Sequence, residues 1–295
     1  MEDYVVKAYA YDGTVRMYAA STTRLVEDAR RIHDLWPTSA AALGRTLTAV
    51  AIMGTTYPAG DELTIRFESD GDLGGMIVTT KCDGYVRGTL GNPHVLMQKP
   101  DGKLDVGGAV GKGFLHVTKD LKVRDIFTST SEIVTGEIGD DFAYYFAQSE
   151  QIPSVVALGV KVGEDNAVMH AGGIILQAMP GCKEETIATI EARASAMANV
   201  TTLLEDRKTP EDLIAVLADE NARILERKPL GYRCDCSKET FERGLIALGN
   251  EELRSLLEEQ GTIETTCHFC QAIWRFTEVD VRRLMKQSKE KGSAS

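Results

Sequence analysis

"GGIILQAMPGCKEETI" (residues 172–187) holds the point at which this chain changes character. Its first half, "GGIILQAM" (172–179), is a short apolar run of strand length, enriched in branched residues. "PGC" (180–182) stops it, and from Lys183 the apolar residues recur at helical spacing. Strands followed by helices, rather than alternating with them one by one, predict an α+β fold and not a doubly wound parallel sheet.

Upstream of the break, "VVKAYAYDGTVRMYAA" (5–20) predicts a hairpin turning at Asp12-Gly13. "TTRLVEDARRIHDLWP" (22–37) predicts a helix with Leu25, Ala29, Ile32 and Leu35 or Trp36 on one face, stopped by Pro37. "SAAALGRTLTAVAIMG" (39–54) predicts a second, mostly buried helix. Strands are expected at 63–69, 74–80, 84–90, 114–120, 154–162 and 172–179, with a short helix at 140–151. The N-terminal domain, 1–180, is therefore expected to be a mainly antiparallel sheet with helices. "VGGAVGKGF" (106–114) imitates a phosphate-binding loop. A Walker A motif needs Gly where Val106 stands and Ser or Thr at Gly113, so a glycine-rich turn is expected instead.

Downstream, residues 181–230 are expected to form a helical linker. A helix over 183–206 places Ile187, Ile190, Ala194, Met197 and Leu204 on one stripe. A second, over 209–226, has Thr209 as N-cap and Pro210 at its first position. Its stripe is Leu213, Val216, Leu217, Ile224 and Leu225. Two readings fit such helices: a permanent layer, or a linker whose apolar face is sometimes exposed.

The last segment, 231–288, carries four of the six cysteines, in "RCDCSKET" (233–240) and "TCHFC" (266–270). Helices are expected at 237–249 and 251–261, a strand–knuckle–strand at 262–276, and a helix from Thr277 to 287, with a disordered tail at 289–295. A segment of this size has a thin core and commonly needs a metal or disulfides. Four thiolates in two tight pairs make a closed structural zinc site, so Cys234, Cys236, Cys267 and Cys270 are the expected ligands of one zinc ion. His268, inside the knuckle, is surplus to that shell. Arg233 and Lys238 could offset the charge of a zinc tetrathiolate or simply be solvated. Cys82 and Cys182 have no near partner in sequence and are expected to be buried or incidental thiols.

Composition narrows the function. At 43% apolar and 26% charged the chain is globular. Its net charge is -11, and residues 228–295 hold 11 basic and 11 acidic residues, so the excess lies before them. That balance argues against nucleic acid as a partner. "MEDYVVKAYAYDG" lacks a basic head and an apolar core, and "TLTAVAIMG" (46–54) is too short to span a bilayer. A cytoplasmic chain with no membrane partner is expected. There clustered cysteines read as metal ligands or redox groups. A dithiol oxidoreductase would open a helix with its C-x-x-C in a βαβ setting, which is lacking around 267–270.

"CDC" (234–236) and "CHFC" (267–270) at this separation, with "YYFAQSEQIPS" (144–154), "AGGIILQAMPG" (171–181) and "SAAALGRTLTA" (39–49), resemble the redox-regulated heat-shock chaperone family, the bacterial 33-kDa chaperonins. The resemblance covers nearly the whole chain; Trp274 stands where the family more often has Tyr. It implies an ATP-independent holdase rather than an enzyme, with no catalytic residues and with unfolding proteins as clients. It implies zinc on the four cysteines and inactivity when reduced. Oxidation would give disulfides 234–236 and 267–270, zinc release, unfolding of the C-terminal region and homodimers. Four thiols allow three connectivities, and that pairing rests on the resemblance together with short loop closure.

Overall fold

The computed structural model describes residues 2–122, 125–197 and 199–292. It confirms an α+β chain, divided into two units between Arg233 and Cys234.

The first unit starts with the expected hairpin, β1 (Tyr4–Ala10) and β2 (Val15–Ser21). Its turn puts Tyr11, Asp12 and Gly13 at φ of 52°, 54° and 82°. Only Gly takes such values without steric cost, and Asp is among the residues that tolerate them best. Helix α1 (Thr23–His33) ends on Asp34 in the left-handed conformation. Pro37 does not end that helix but opens the next, α2 (Pro37–Gly54), because its missing N–H costs nothing at a first helical position. Then come β3 (Glu62–Ser69), β4 (Met76–Thr80), β5 (Tyr85–Leu90), α3 (Val106–Val110), β6 (Gly113–Asp120) and β7 (Phe127–Glu132). Helix α4 (Gly139–Tyr145) runs into a π-helical turn, Phe146–Glu150. Strands β8 (Ser154–Val162) and β9 (Val168–Ala178) follow, then α5 (Glu184–Ala196), α6 (Val200–Glu205), α7 (Pro210–Leu217), β10 (Arg223–Pro229) and β11 (Gly231–Tyr232).

One sheet has the order β10-β1-β2-β9-β8 and is antiparallel throughout. The other, β11-β5-β4-β3-β6-β7, is antiparallel except for the short β11–β5 pair. Helix α2 lies between them, touching β8 and β9 of one sheet and β4 and β5 of the other. The alternation of strand side chains divides the core. Tyr18 and Ala20 of β2, with Ile175 of β9, join the α2 cluster, while Met17, Ala19, Ile174 and Leu176 face α6 and α7. Both faces of the central strands are thus buried.

The second unit comprises α8 (Lys238–Leu248), α9 (Asn250–Gln260), the hairpin β12 (Ile263–Thr266) and β13 (Ile273–Phe276), and α10 (Glu278–Gly292). Among the described residues its buried apolar cluster has six members, including Leu253, Phe276 and Leu284.

Further expectations are corrected, beginning with the glycine-rich turn expected at 106–114, where 106–110 form α3 with Asp105 as N-cap. The helix over 183–206 breaks at Met197, whose backbone is extended, and restarts at Val200. The helix over 209–226 stops at Leu217. Residues 223–229 instead form β10, because the edge of β1 offers a ladder of backbone partners from Tyr4↔Pro229 to Tyr9↔Arg223. The stretch 181–230 is therefore only partly helical, and it belongs with 2–180 in the first unit. Residues 289–292, expected as tail, lie in α10, and 293–295 are outside the described residues.

Candidate metal centre

Each cysteine pair is set by local backbone chemistry. Cys234 and Cys236 lie in the segment just before α8, whose N-cap is Ser237, its Oγ accepting from the Thr240 N–H. Cys267 follows β12. Its N–H donates to the Ala272 carbonyl at 2.9 Å and its carbonyl accepts from the Gln271 N–H at 2.8 Å. Gln271 takes φ 59°, which reverses the chain and keeps Cys270 beside Cys267.

The sulfurs converge. Cys234 Sγ is 3.7 Å from Cys267 Sγ, Cys236 Sγ is 3.4 Å from Cys270 Sγ, and all four lie within 4.8 Å of one another. A tetrahedral zinc with Zn–S near 2.3 Å has S···S edges of about 3.8 Å, so the four sulfurs fit that ion. Both separations far exceed the ~2.05 Å of a disulfide. Cys267 is buried and the other three are half-buried. Burial would raise the Cys267 thiol, but backbone N–H groups of Phe269 and Cys270 directed at its sulfur outweigh it and bring it below its ordinary value. Burial pushes Cys236 and Cys270 up. A buried cluster of this kind is fully ionised only with a cation among the sulfurs.

His268 is exposed and outside the cluster, as the closed shell required. Neither flanking cation is simply solvated. Lys238 reaches Asp280 at 3.5 Å and lies over the Phe276 ring, and Arg233 pairs with Asp83 and stacks 3.7 Å over Tyr85. Cys82 is fully buried, its thiol pushed up to about 12 by burial; Cys182 is half-buried against the β2–β9 cluster.

The linker residues divide. Ile190, Leu204, Leu213 and Leu217 are buried against Met17, Ile174 and their neighbours, and Ile187 and Met197 are half-buried. Val216 is 39% exposed, so it does not belong to the apolar face. Val200 and Ile214 do belong to it and were missed. The signal for Ile214 was present. Thr209 and Asp212 form a reciprocal capping box that fixes where α7 starts, and hence which side of it turns inward.

Among the described residues no helix is long and apolar enough to cross a membrane. Residues 3–277 match the family described as Hsp33 protein. The 33 kDa chaperonin of Desulforamulus reducens is 45% identical over 293 residues, 99% of this chain and 100% of that protein. The Bacillus subtilis 33 kDa chaperonin is 44% identical over 288 residues, 97% of this chain and 99% of that one. The crystal structure of the 33 kDa chaperonin (heat shock protein 33 homolog) from Thermotoga maritima superposes with a TM-score of 0.90 at 29% identity, covering 98% of this chain and 100% of that one.

Proposed function

We propose, since this chain belongs to the Hsp33 protein family, that it is an ATP-independent holdase chaperone switched by the redox state of Cys234, Cys236, Cys267 and Cys270. The observation that carries this reading is the convergence of four sulfurs, from motifs some thirty residues apart, at edges close to those of a zinc tetrathiolate. In the reduced state the four cysteines hold one zinc ion per chain. Bound zinc supplies folding free energy to the second unit and keeps the sulfurs ionised.

Thiolates are what peroxides attack. In each oxidation two cysteine thiolates, one hydrogen peroxide and two protons give one disulfide and two waters, with zinc released to solvent as its ligands are lost. Cys267 pairs with Cys270 and Cys234 with Cys236. All four sulfurs are mutual neighbours, so distance in the reduced state leaves three connectivities open, and the pairing rests on the family resemblance together with short loop closure. The 234–236 ring is small and needs backbone freedom to close, so that bond forms as the second unit loosens.

Loss of the second unit frees the chain beyond Arg233. The α5–α7 layer then loosens and lifts from β2 and β9. Met17, Ile174, Leu176 and neighbouring residues, now covered by that layer, become the surface offered to unfolding client proteins in the cytoplasm. Oxidised chains associate as homodimers.

Zinc content and suppression of client aggregation, measured on one sample before and after peroxide, test the switch. One zinc per chain with little activity should become little zinc with strong activity. Full activity in the zinc-bound, thiol-reduced state would refute it. Peptide mapping with bonds mainly between the two motifs would refute the pairing.

A further inference from the structure

A cavity of about 170 Å³ lies in the first unit between the C-terminal end of α2, the π-helical turn and the inner face of β2 and β9. It is separate from the four cysteines and from the surface that α5–α7 cover. Its walls are apolar where Ile52, Met53, Phe146, Ile152 and Ile175 line it, and polar at one end. There Arg16 donates through Nη2 to Gln177 Oε1 at 2.8 Å, across the β2–β9 ladder.

Two groups at that end are unsatisfied. Tyr18 is 1% exposed and its hydroxyl has no hydrogen-bond partner. Buried Arg16 Nε has none either. The Arg16 guanidinium lies over the Tyr18 ring, 5.6 Å from its centroid, so the two orphaned groups belong to neighbouring side chains, and buried polar atoms are nearly always paired. Charge points the same way. Glu150 is the sole carboxylate among the lining residues, and its Oε1 is taken by the Lys119 ammonium and by the Tyr145 hydroxyl at 2.5 Å. Among the described residues no ion pair joins Arg16 to that carboxylate. A water would satisfy groups at the polar end but leave the space between Ile52, Ile152 and Ile175 unfilled. The wall is also irregular backbone: a π-helical turn followed by Gln151 at φ 57°, features that gather at functional sites.

We propose that this cavity binds a small monocarboxylic acid with a compact apolar body, of about the size of benzoate. The carboxylate accepts from Arg16 Nε and the Tyr18 hydroxyl, and the body fills the space between Ile52, Ile152 and Ile175. Engineered apolar cavities of roughly 150 Å³ accept benzene, so the volume suits such a body. Tyr18, held protonated by burial to about 12, remains a donor at neutral pH.

The test is a benzoate titration of the full-length, zinc-loaded protein, followed by methyl NMR of its Ile and Met side chains. Saturable shifts are expected at Ile52, Met53, Ile152 and Ile175. Benzamide should bind at least about tenfold more weakly, as the charge-assisted hydrogen bond is lost. Tyr18→Phe removes an oxygen that no protein group holds, so it should fold normally and lose about five- to tenfold in affinity. Arg16→Gln should abolish binding; if that variant does not fold, benzamide and Tyr18→Phe still decide. Unmoved methyl signals at millimolar benzoate, equal binding of benzamide, or wild-type affinity in Tyr18→Phe would each overturn the proposal.

Discussion

Glu27 of α1 makes four short contacts, three within its own helix and one to β9. Its carboxylate accepts from Arg30 Nε and Nη2 at 2.8 and 2.9 Å, from Arg31 Nε at 2.7 Å and from the Val168 N–H at 3.0 Å. The Arg30 hydrogen bonds hold its carboxyl down at about 2, against the opposing effect of burial. A depressed folded-state value contributes stability that is complete above the ordinary 4.5 and is lost as pH falls toward 2. Glu27→Gln should therefore cost on the order of 2 kcal/mol at neutral pH and progressively less between about pH 4.5 and 2. Chemical denaturation of both proteins at each pH checks this, and loss of metal in acid, common to both, cancels in the difference. A difference that does not vary with pH would show that Glu27 acts by packing alone. Asp3 has the opposite sign. Burial raises it to about 6 although the Leu25 N–H donates to it, so the stability linked to its proton is complete below about 3.8 and lost as pH rises through 6.

The stripe expected on α7 holds Leu213, Val216 and Leu217, whereas the structure buries Leu213, Ile214 and Leu217 and leaves Val216 exposed. Leu213→Lys places a charge where exposure is 0% and should cost about 3–5 kcal/mol or detach the helix. Val216→Lys should change stability by no more than about 0.5 kcal/mol. Hydrogen exchange over 184–217 in the reduced protein checks the pair: fast exchange in the first variant alone is expected, and equal effects would mean the inward face is wrongly placed. The same element shows what could be read in advance. Thr209 as N-cap and Pro210 marked its start, the two cysteine motifs marked the site, and the apolar run of α2 marked a mostly buried helix. What could not be read was set by partners distant in sequence. "RILERKP" has adjacent apolar residues and four charges, so its periodicity says nothing of a strand; β10 exists because β1 has an edge to pair. "FTSTSE" is nearly all polar and forms β7 by pairing with β6, with Thr–Thr and His–Thr side-chain bonds across the ladder. Edge strands have little apolar patterning because little of them is buried. The sulfur geometry was legible because spacing alone brings two ligands onto one metal, whereas Arg233 found Asp83 and Tyr85, partners that no local pattern could supply.

The two units differ most in how much apolar surface each encloses. The first has extensive buried clusters on both faces of β2 and β9, whereas the second gathers six buried apolar side chains among the described residues. A core of that size rarely supplies more than about 3–5 kcal/mol, while a structural zinc contributes about 10–16 kcal/mol to comparable small domains. Metal, rather than apolar burial, should therefore decide whether residues 234–292 are folded. Removing it with a strong chelator while a thiol reductant keeps every cysteine reduced isolates that contribution from disulfide formation. Exchange protection should then vanish over α8, α9 and α10 and persist in β1–β6 and α2. Cys267→Ser should reproduce the result without chelator, since it deletes the most buried of the four sulfurs and the one held by backbone N–H groups. Mass-resolved hydrogen exchange on the intact chain reads both. Protection that survives in α8–α10 after complete metal removal would mean that the six-residue core suffices alone, and that dismantling the sulfur site cannot be what unfolds the second unit.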